Sequence, residues 1–249
     1  MFRAALILAL GFAVSACVEE QPTQNPGPAP VYEEPTFQRS ASTAVSNFRR
    51  VSARVEPVAE SACRSLYPNI ERTFCDFTLQ VLDDPKQPPN AFQSIGQDGR
   101  PVITFNINML RTVKNDHEIA FIMGHEAGHQ IAMHIRQKVN NQAAGMLLGG
   151  LLMAGLGADP QTGMDIGGFI GGQAYSKSFE LEADRIGAYI ASRAGYDPLI
   201  GADSFRRTQG SNSLLSTHPP SADRIYTVQQ TNAEIEAARA RGEVAPIRW

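Results

Sequence analysis

A chain of 249 residues, 43% hydrophobic and 19% charged, has room for one sizeable core or two small ones, and a single domain is the simplest count. Its formal charge of −3 comes without a dense Lys/Arg run. Nucleic acid therefore has no electrostatic footprint to bind, and that class of partner is excluded.

The chain opens on a positive Met1-Phe2-Arg3, an apolar stretch over residues 4–14, and a small-residue approach through Val14-Ser15-Ala16. About eleven apolar residues are too few to span a bilayer, so residues 1–16 are expected to be a signal peptide outside the fold. Val14-Ser15-Ala16-Cys17 resembles the lipobox of bacterial lipoproteins. The resemblance implies that Cys17 is lipidated and becomes the new N-terminus, leaving the mature protein tethered to a membrane without spanning it. An ordinary secretory signal with an incidental cysteine is the alternative. Val18, in place of an acidic residue, resembles lipoproteins sent on to the outer membrane, which implies a periplasm-facing place in the bacterial envelope. With Cys17 set aside, Cys63 and Cys75 remain as an even pair in a compartment that tolerates disulfides. A bridge would close a loop of roughly thirteen residues and contribute about 3 kcal/mol. Two unpaired thiols are the alternative, and a second metal site lacks ligands.

Residues 18–36 carry five of the sixteen prolines and little apolar content, so residues 17–40 are expected to be an unfolded tether and residues 41–249 one domain. Val45, Phe48, Val51, Val55 and Val58 recur at spacings of three and four, predicting a helix over residues 41–66, with Pro57 limiting its regularity. Residues 77–82 and 101–105 read as strands, with a turn at Asp98-Gly99 between them. A small antiparallel sheet is expected, covering one face of the next helix or offering an edge on which an extended peptide can lie. A short helix is expected over residues 106–114, and Asn115 with Glu118 forms a capping box for the central helix.

That helix carries His125-Glu126-Ala127-Gly128-His129. Two histidines four residues apart differ by about 40° in azimuth, so their imidazoles lean toward one point that can hold a metal. Glu126 is placed to approach a metal-activated water instead of ligating, the logic of His-Glu-x-x-His zinc peptidases. A neutral core would have to bury two imidazoles and a carboxylate without evident partners. The helix is expected to run on to about Val139, which places His117 about 80° and His134 about 180° from His125. Both read as surface or second-layer histidines.

Residues 143–158 contain no charge before Asp159-Pro160. They predict a close-packed buried helix in preference to a transmembrane one, with residues 167–172 packing on it as a hairpin or forming a flap. The next helix carries Glu180 and Asp184 on one face, while Glu182 points about 200° away from Glu180. Glu180 is the candidate third metal ligand and Asp184 the acceptor for a ring N–H of His125 or His129. The alternative is a solvated acidic face. A helix is expected over residues 198–208, then a loop whose His218 sits among prolines, and then Ser221 as the N-cap of a last helix through about Arg241.

Asn90-Ala91-Phe92, His125-Glu126-Ala127-Gly128-His129, Glu180-Leu181-Glu182-Ala183-Asp184-Arg185 and Thr217-His218-Pro219-Pro220-Ser221 together resemble the metallopeptidase family of the bacterial heat-shock protease HtpX and the CAAX prenyl protease. Within it the chain is most similar to bacterial lipoproteins and to the catalytic domain of the mitochondrial inner-membrane stress protease. The resemblance covers roughly residues 77–225. It implies an α+β, mainly helical gluzincin fold with a small sheet, one Zn2+ per chain held by His125, His129 and Glu180, and endopeptidase activity on misfolded or membrane-associated proteins. It further implies Glu126 as general base, and for His218 either a place on the metal's open position or a hydrogen bond to the oxyanion. Prenylated substrates are placed in doubt by the lack of clear transmembrane helices. The competing classes are a non-catalytic periplasmic chaperone lipoprotein and a hydrolase of peptidoglycan peptides.

Overall fold

The computed structural model describes residues 38–171, 176–207, 218 and 222–249. The signal peptide, Cys17 and most of the tether expected from the sequence lie outside the described residues, as does Ser221. Among the described residues, no helix is long and apolar enough to cross a membrane.

Helix α1 (Ala41–Leu66) buries Phe48, Val51 and Val55 on one face, as its spacing predicts, and starts at Ser40, whose side chain accepts from the Thr43 amide. Pro57 lies inside it. A 3₁₀ turn at Arg72–Cys75 brings Cys75 back onto the helix, where it is disulfide-bonded to Cys63. The strands are β1 (Thr78–Leu82), β2 (Ala91–Ile95) and β3 (Pro101–Asn106), in the order β1-β3-β2.

This sheet corrects one expectation. The two strands read from the sequence pair in parallel, Thr78 opposite Val102, and only β2 runs antiparallel to β3, so the sheet is mixed. The cause is β2 itself: Ala91–Ile95 reads from the sequence as part of the connection, yet it forms the hairpin with β3 and reverses the chain before β1's partner begins. β3 is the central strand, and its Phe105 packs against Phe48 of α1 with ring centroids 5.4 Å apart.

After the short α2 (Ile107–Thr112), α3 (Asp116–Ile131) runs through the core with fourteen of its sixteen residues buried. Asn115 caps it by accepting from the Glu118 amide, and Glu118 reaches back to accept from Lys114 N at 2.8 Å. α6 (Lys177–Arg193) crosses α3 at near contact of the two backbones. A Cβ on Gly124 would lie 2.9 Å from the Gly187 carbonyl oxygen, and one on Gly128 2.8 Å from that of Ala183. Rising numbers on α3 thus meet falling numbers on α6, and the two helices are antiparallel. α7 (Pro198–Arg207) and α8 (Ala222–Ala240) close the core, with Phe205 of α7 against Phe121 of α3.

Two further expectations are corrected between α3 and α6. The central helix does not continue to Val139: it ends at Ile131, Met133 takes a left-handed conformation at φ 58°, and α4 (His134–Gly155) starts in a new direction. The uncharged stretch is helical but not buried. α4 pairs with α5 (Pro160–Gly171) as a hairpin, and Leu147, Leu148, Leu151, Leu152 and Leu156 are exposed. Small residues explain this, since Gly150 and Gly163 let the two helices close on each other and leave the leucines outside.

Candidate metal centre

Near contact of α3 and α6 sets the site. His125 and His129 come from α3, Glu180 and Asp184 from the first two turns of α6, and all four are buried. The facing Nε2 atoms of His125 and His129 are 3.1 Å apart. Glu180 reaches both, with Oε2 3.6 Å from His125 Nε2 and Oε1 3.5 Å from His129 Nε2. His218, which precedes α8 in the chain, joins them: its Nδ1 is 3.0 Å from each Glu180 oxygen and 3.3 Å from His125 Nε2. Ligand atoms of His125, His129, Glu180 and His218 lie within 4.8 Å of one another, a buried group that could hold a metal ion.

Each side chain is oriented from behind. Asp184 Oδ1 is 2.8 Å from His125 Nδ1, which places the ring hydrogen on Nδ1 and the lone pair on Nε2. Of the two acceptor assignments left open by the sequence, His125 is the one observed. Arg224 of α8 is a site residue that sequence patterning does not pick out. Its guanidinium is buried, donates to Asp184 Oδ1 and Oδ2 at 2.6 and 2.7 Å, lies 3.2 Å from Glu180 Oε2, and sits 3.7 Å over the Phe205 ring. The one signal it leaves is its position six residues after His218 at the start of a helix. Glu126 points from α3 toward His218 Nε2 at 3.6 Å, and its Oε2 is buried with no hydrogen-bond partner among the described residues.

Electrostatics separates these groups. Burial pushes the Glu126 carboxyl up to about 7, against the nearby His218, which lowers it. Burial also lowers His125, opposed by Asp184, and holds His129 well below the usual imidazole value, so both rings are neutral and able to offer lone pairs. Glu180 and Asp184 are raised by burial but end below the ordinary carboxylate value, because His218 acts on the first and Arg224 on the second. Two lone pairs and a carboxylate thus converge on one buried point. Imidazole and carboxylate donors meeting at one point suit zinc. The residues present fit a zinc ion.

His117 and His134 lie apart from this group. His117 Nδ1 accepts from the Asp197 amide at 2.8 Å, away from the centre. His134, which an unbroken helix would have turned to the opposite side, packs behind His129 because the helix is broken at Met133.

Comparison with known proteins agrees with the geometry. Residues 46–232 match the model of Peptidase family M48. Among curated relatives, the mitochondrial metalloendopeptidase OMA1 of Saccharomyces cerevisiae is 29% identical over 196 residues, 72% of this chain and 55% of that protein. The putative beta-barrel assembly-enhancing protease of Vibrio cholerae is 30% identical over 155 residues, 55% of this chain and 31% of that protein. The beta-barrel assembly-enhancing protease of Escherichia coli is 27% identical over 155 residues, again 55% and 31%. The match spans about half the length of the yeast relative and less than a third of the bacterial ones.

Proposed function

Since the chain belongs to peptidase family M48, we propose that it is a zinc-dependent endopeptidase hydrolysing peptide bonds in misfolded or membrane-associated proteins of the bacterial cell envelope. The observation that carries the reading is the convergence of His125, His129 and Glu180 beside a buried, unpartnered Glu126 oxygen, since a purely structural site has no use for a base at that place. His125, His129 and Glu180 would hold the ion. When bound, zinc supplies Lewis acidity, bringing the pKa of water from about 15.7 toward 7 and polarising a carbonyl.

The chain's own groups do the rest. Glu126, pushed up to about 7, takes a proton from the attacking water and returns it to the leaving amine. Asp184, itself held by Arg224, keeps the His125 ring in place through that exchange. β2 is an edge strand packed on α3, and an extended substrate added to its free edge would lie along the site. What supports a latch role for His218 is its position: its Nδ1, within hydrogen-bond distance of both Glu180 oxygens, lies among the ligand atoms. Displacement of His218 would then open the position that water and substrate need.

The location follows from the leader. Residues 4–14 and the Val14-Ser15-Ala16-Cys17 sequence support a lipoprotein anchored through Cys17, periplasm-facing and at the outer membrane, and the names of the bacterial relatives fit envelope quality control. Cys17→Ser should move the protein from the membrane to the soluble fraction.

The deciding experiment compares the purified protein with Glu126→Gln and His218→Ala for bound zinc and for cleavage of casein. About one zinc per chain is expected throughout. Glu126→Gln should be inactive with its metal retained, and His218→Ala should be more active than the parent. Lower activity in His218→Ala would make His218 a transition-state donor. Zinc without cleavage in both the parent and His218→Ala would favour a chaperone, and cleavage of cell-wall peptides but not casein a peptidoglycan hydrolase.

A further inference from the structure

One pair beside the centre, a buried histidine and a partly exposed carboxylate, has no part in the chemistry of Glu126 and the three ligands. His134 is fully buried, yet it stands outside the four residues whose ligand atoms converge. Its Nδ1 is 2.9 Å from His129 Nδ1, and its Nε2 is 3.0 Å from Glu182 Oε2. The ring stacks on Phe179 at 4.2 Å with only 9° between the planes, so its orientation is fixed by packing. Glu182 stands at the surface end of this line, with its side chain one-third exposed at 33%.

With a metal on His129 Nε2, counting hydrogens leaves one arrangement. His129 Nε2 faces His125 Nε2 and Glu180, so its lone pair is there and its hydrogen is on Nδ1. His134 Nδ1, at 2.9 Å, must accept that hydrogen. The remaining hydrogen of His134 is then on Nε2 and is donated to the Glu182 carboxylate. The break at Met133 is what makes this possible, because it swings His134 back behind the helix that precedes it.

We propose that His134 and Glu182 are a positioning relay for His129: Glu182 orients His134, and His134 fixes the tautomer and ring plane of His129. The two histidines of the motif are then held alike, His125 directly by a carboxylate and His129 by a carboxylate acting through a second imidazole. The inference rests on the reading of His129 as a zinc ligand. It adds two residues to the zinc-binding machinery, neither of which touches substrate.

The test measures zinc affinity of the purified protein by chelator competition, together with the d–d spectrum of the Co2+-substituted protein. His134→Phe keeps the stack on Phe179 but offers no acceptor; it should weaken zinc binding about 10- to 100-fold, the range for lost support behind a metal histidine. His134→Gln restores an acceptor and should recover most of that loss. Glu182→Ala lies at the surface, leaves the core intact, and should weaken binding and shift the Co2+ bands. Added to His134→Phe, it should cost nothing more, because both act on one line. Affinity within threefold of the parent in Glu182→Ala with an unshifted Co2+ spectrum, or additive losses in the double variant, overturns the relay; should His134→Phe fail to fold, Glu182→Ala decides alone. Zinc binding without cleavage in both the parent and His218→Ala would sink the peptidase reading and leave this one standing.

Discussion

Replacing Gly128 by alanine sets two effects of opposite sign against each other. Alanine favours a helix interior over glycine by about 1 kcal/mol. Against this, the new Cβ would lie 2.8 Å from the Ala183 carbonyl oxygen and 3.0 Å from its Cα, where ordinary contact begins at 3.4 Å. The obstacle is backbone, so α3 and α6 must part by about 0.6 Å, and overpacking of this kind costs about 1–3 kcal/mol. Net destabilisation of about 0–2 kcal/mol is expected in urea unfolding of the metal-free protein. The effect on metal is sharper: Gly128 adjoins His129 and Ala183 adjoins Asp184, and zinc sites hold their distances to about 0.2 Å. Zinc affinity by chelator competition should fall at least tenfold. Gly155→Ala is the control, because nothing lies within 4 Å of its added carbon; it should gain up to about 1 kcal/mol with affinity unchanged. A Gly128→Ala protein that matches Gly155→Ala in both measurements would refute the claim that backbone contact sets the site.

Replacing both Cys63 and Cys75 by serine reopens a short loop and should lower stability by about 3 kcal/mol, read as a fall in urea midpoint without loss of zinc. Arg224→Met leaves the Asp184 and Glu180 carboxylates without their buried cation and should cost about 3–5 kcal/mol; Arg224→Lys, which keeps the charge but not the fork on Asp184, should fall between. Glu126 must be ionised to accept a proton, burial raises it from 4.5 to about 7, and a bound cation pulls it back. Casein cleavage should therefore be full above this window and fall about tenfold per pH unit as pH drops through it, while bound zinc stays constant because His125 and His129 are held neutral by burial. An acid limb that tracks zinc release instead would assign the limb to the ligands.

What can be read from the sequence is what depends on local periodicity. The face of α1 that carries Phe48, Val51 and Val55, the Asn115 cap, and the shared face of Glu180 and Asp184 all follow from spacings within a few residues. Errors arise where a distant partner or a single backbone dihedral decides. Whether residues 78–82 pair in parallel depends on β2, whose Ala91–Ile95 has too few strand-forming residues to stand out between two turns. Periodicity puts His134 on the far side of a helix because nothing in Ala132-Met133 announces a left-handed residue; methionine is an uncommon choice there, and its φ of 58° goes with the contacts of His134 to His129 and Phe179. Arg224 is hidden for a related reason, since a charge at the start of an amphipathic helix usually faces water, and only the buried Asp184 makes it an interior residue.

The α4–α5 hairpin leaves the core directly after one ligand helix and returns directly before the other. Because α3 and α6 hold each other by their own backbones, the excursion over residues 132–176 is, to the site, merely a loop. Closing a loop grows harder only logarithmically, by about 0.6 kcal/mol for each doubling of its length. Changes in the length and surface of this hairpin should therefore leave the metal centre at its base intact, provided the first residue of α4 remains where it is. What the outer surface of the hairpin meets is in this way separable from the geometry at its base.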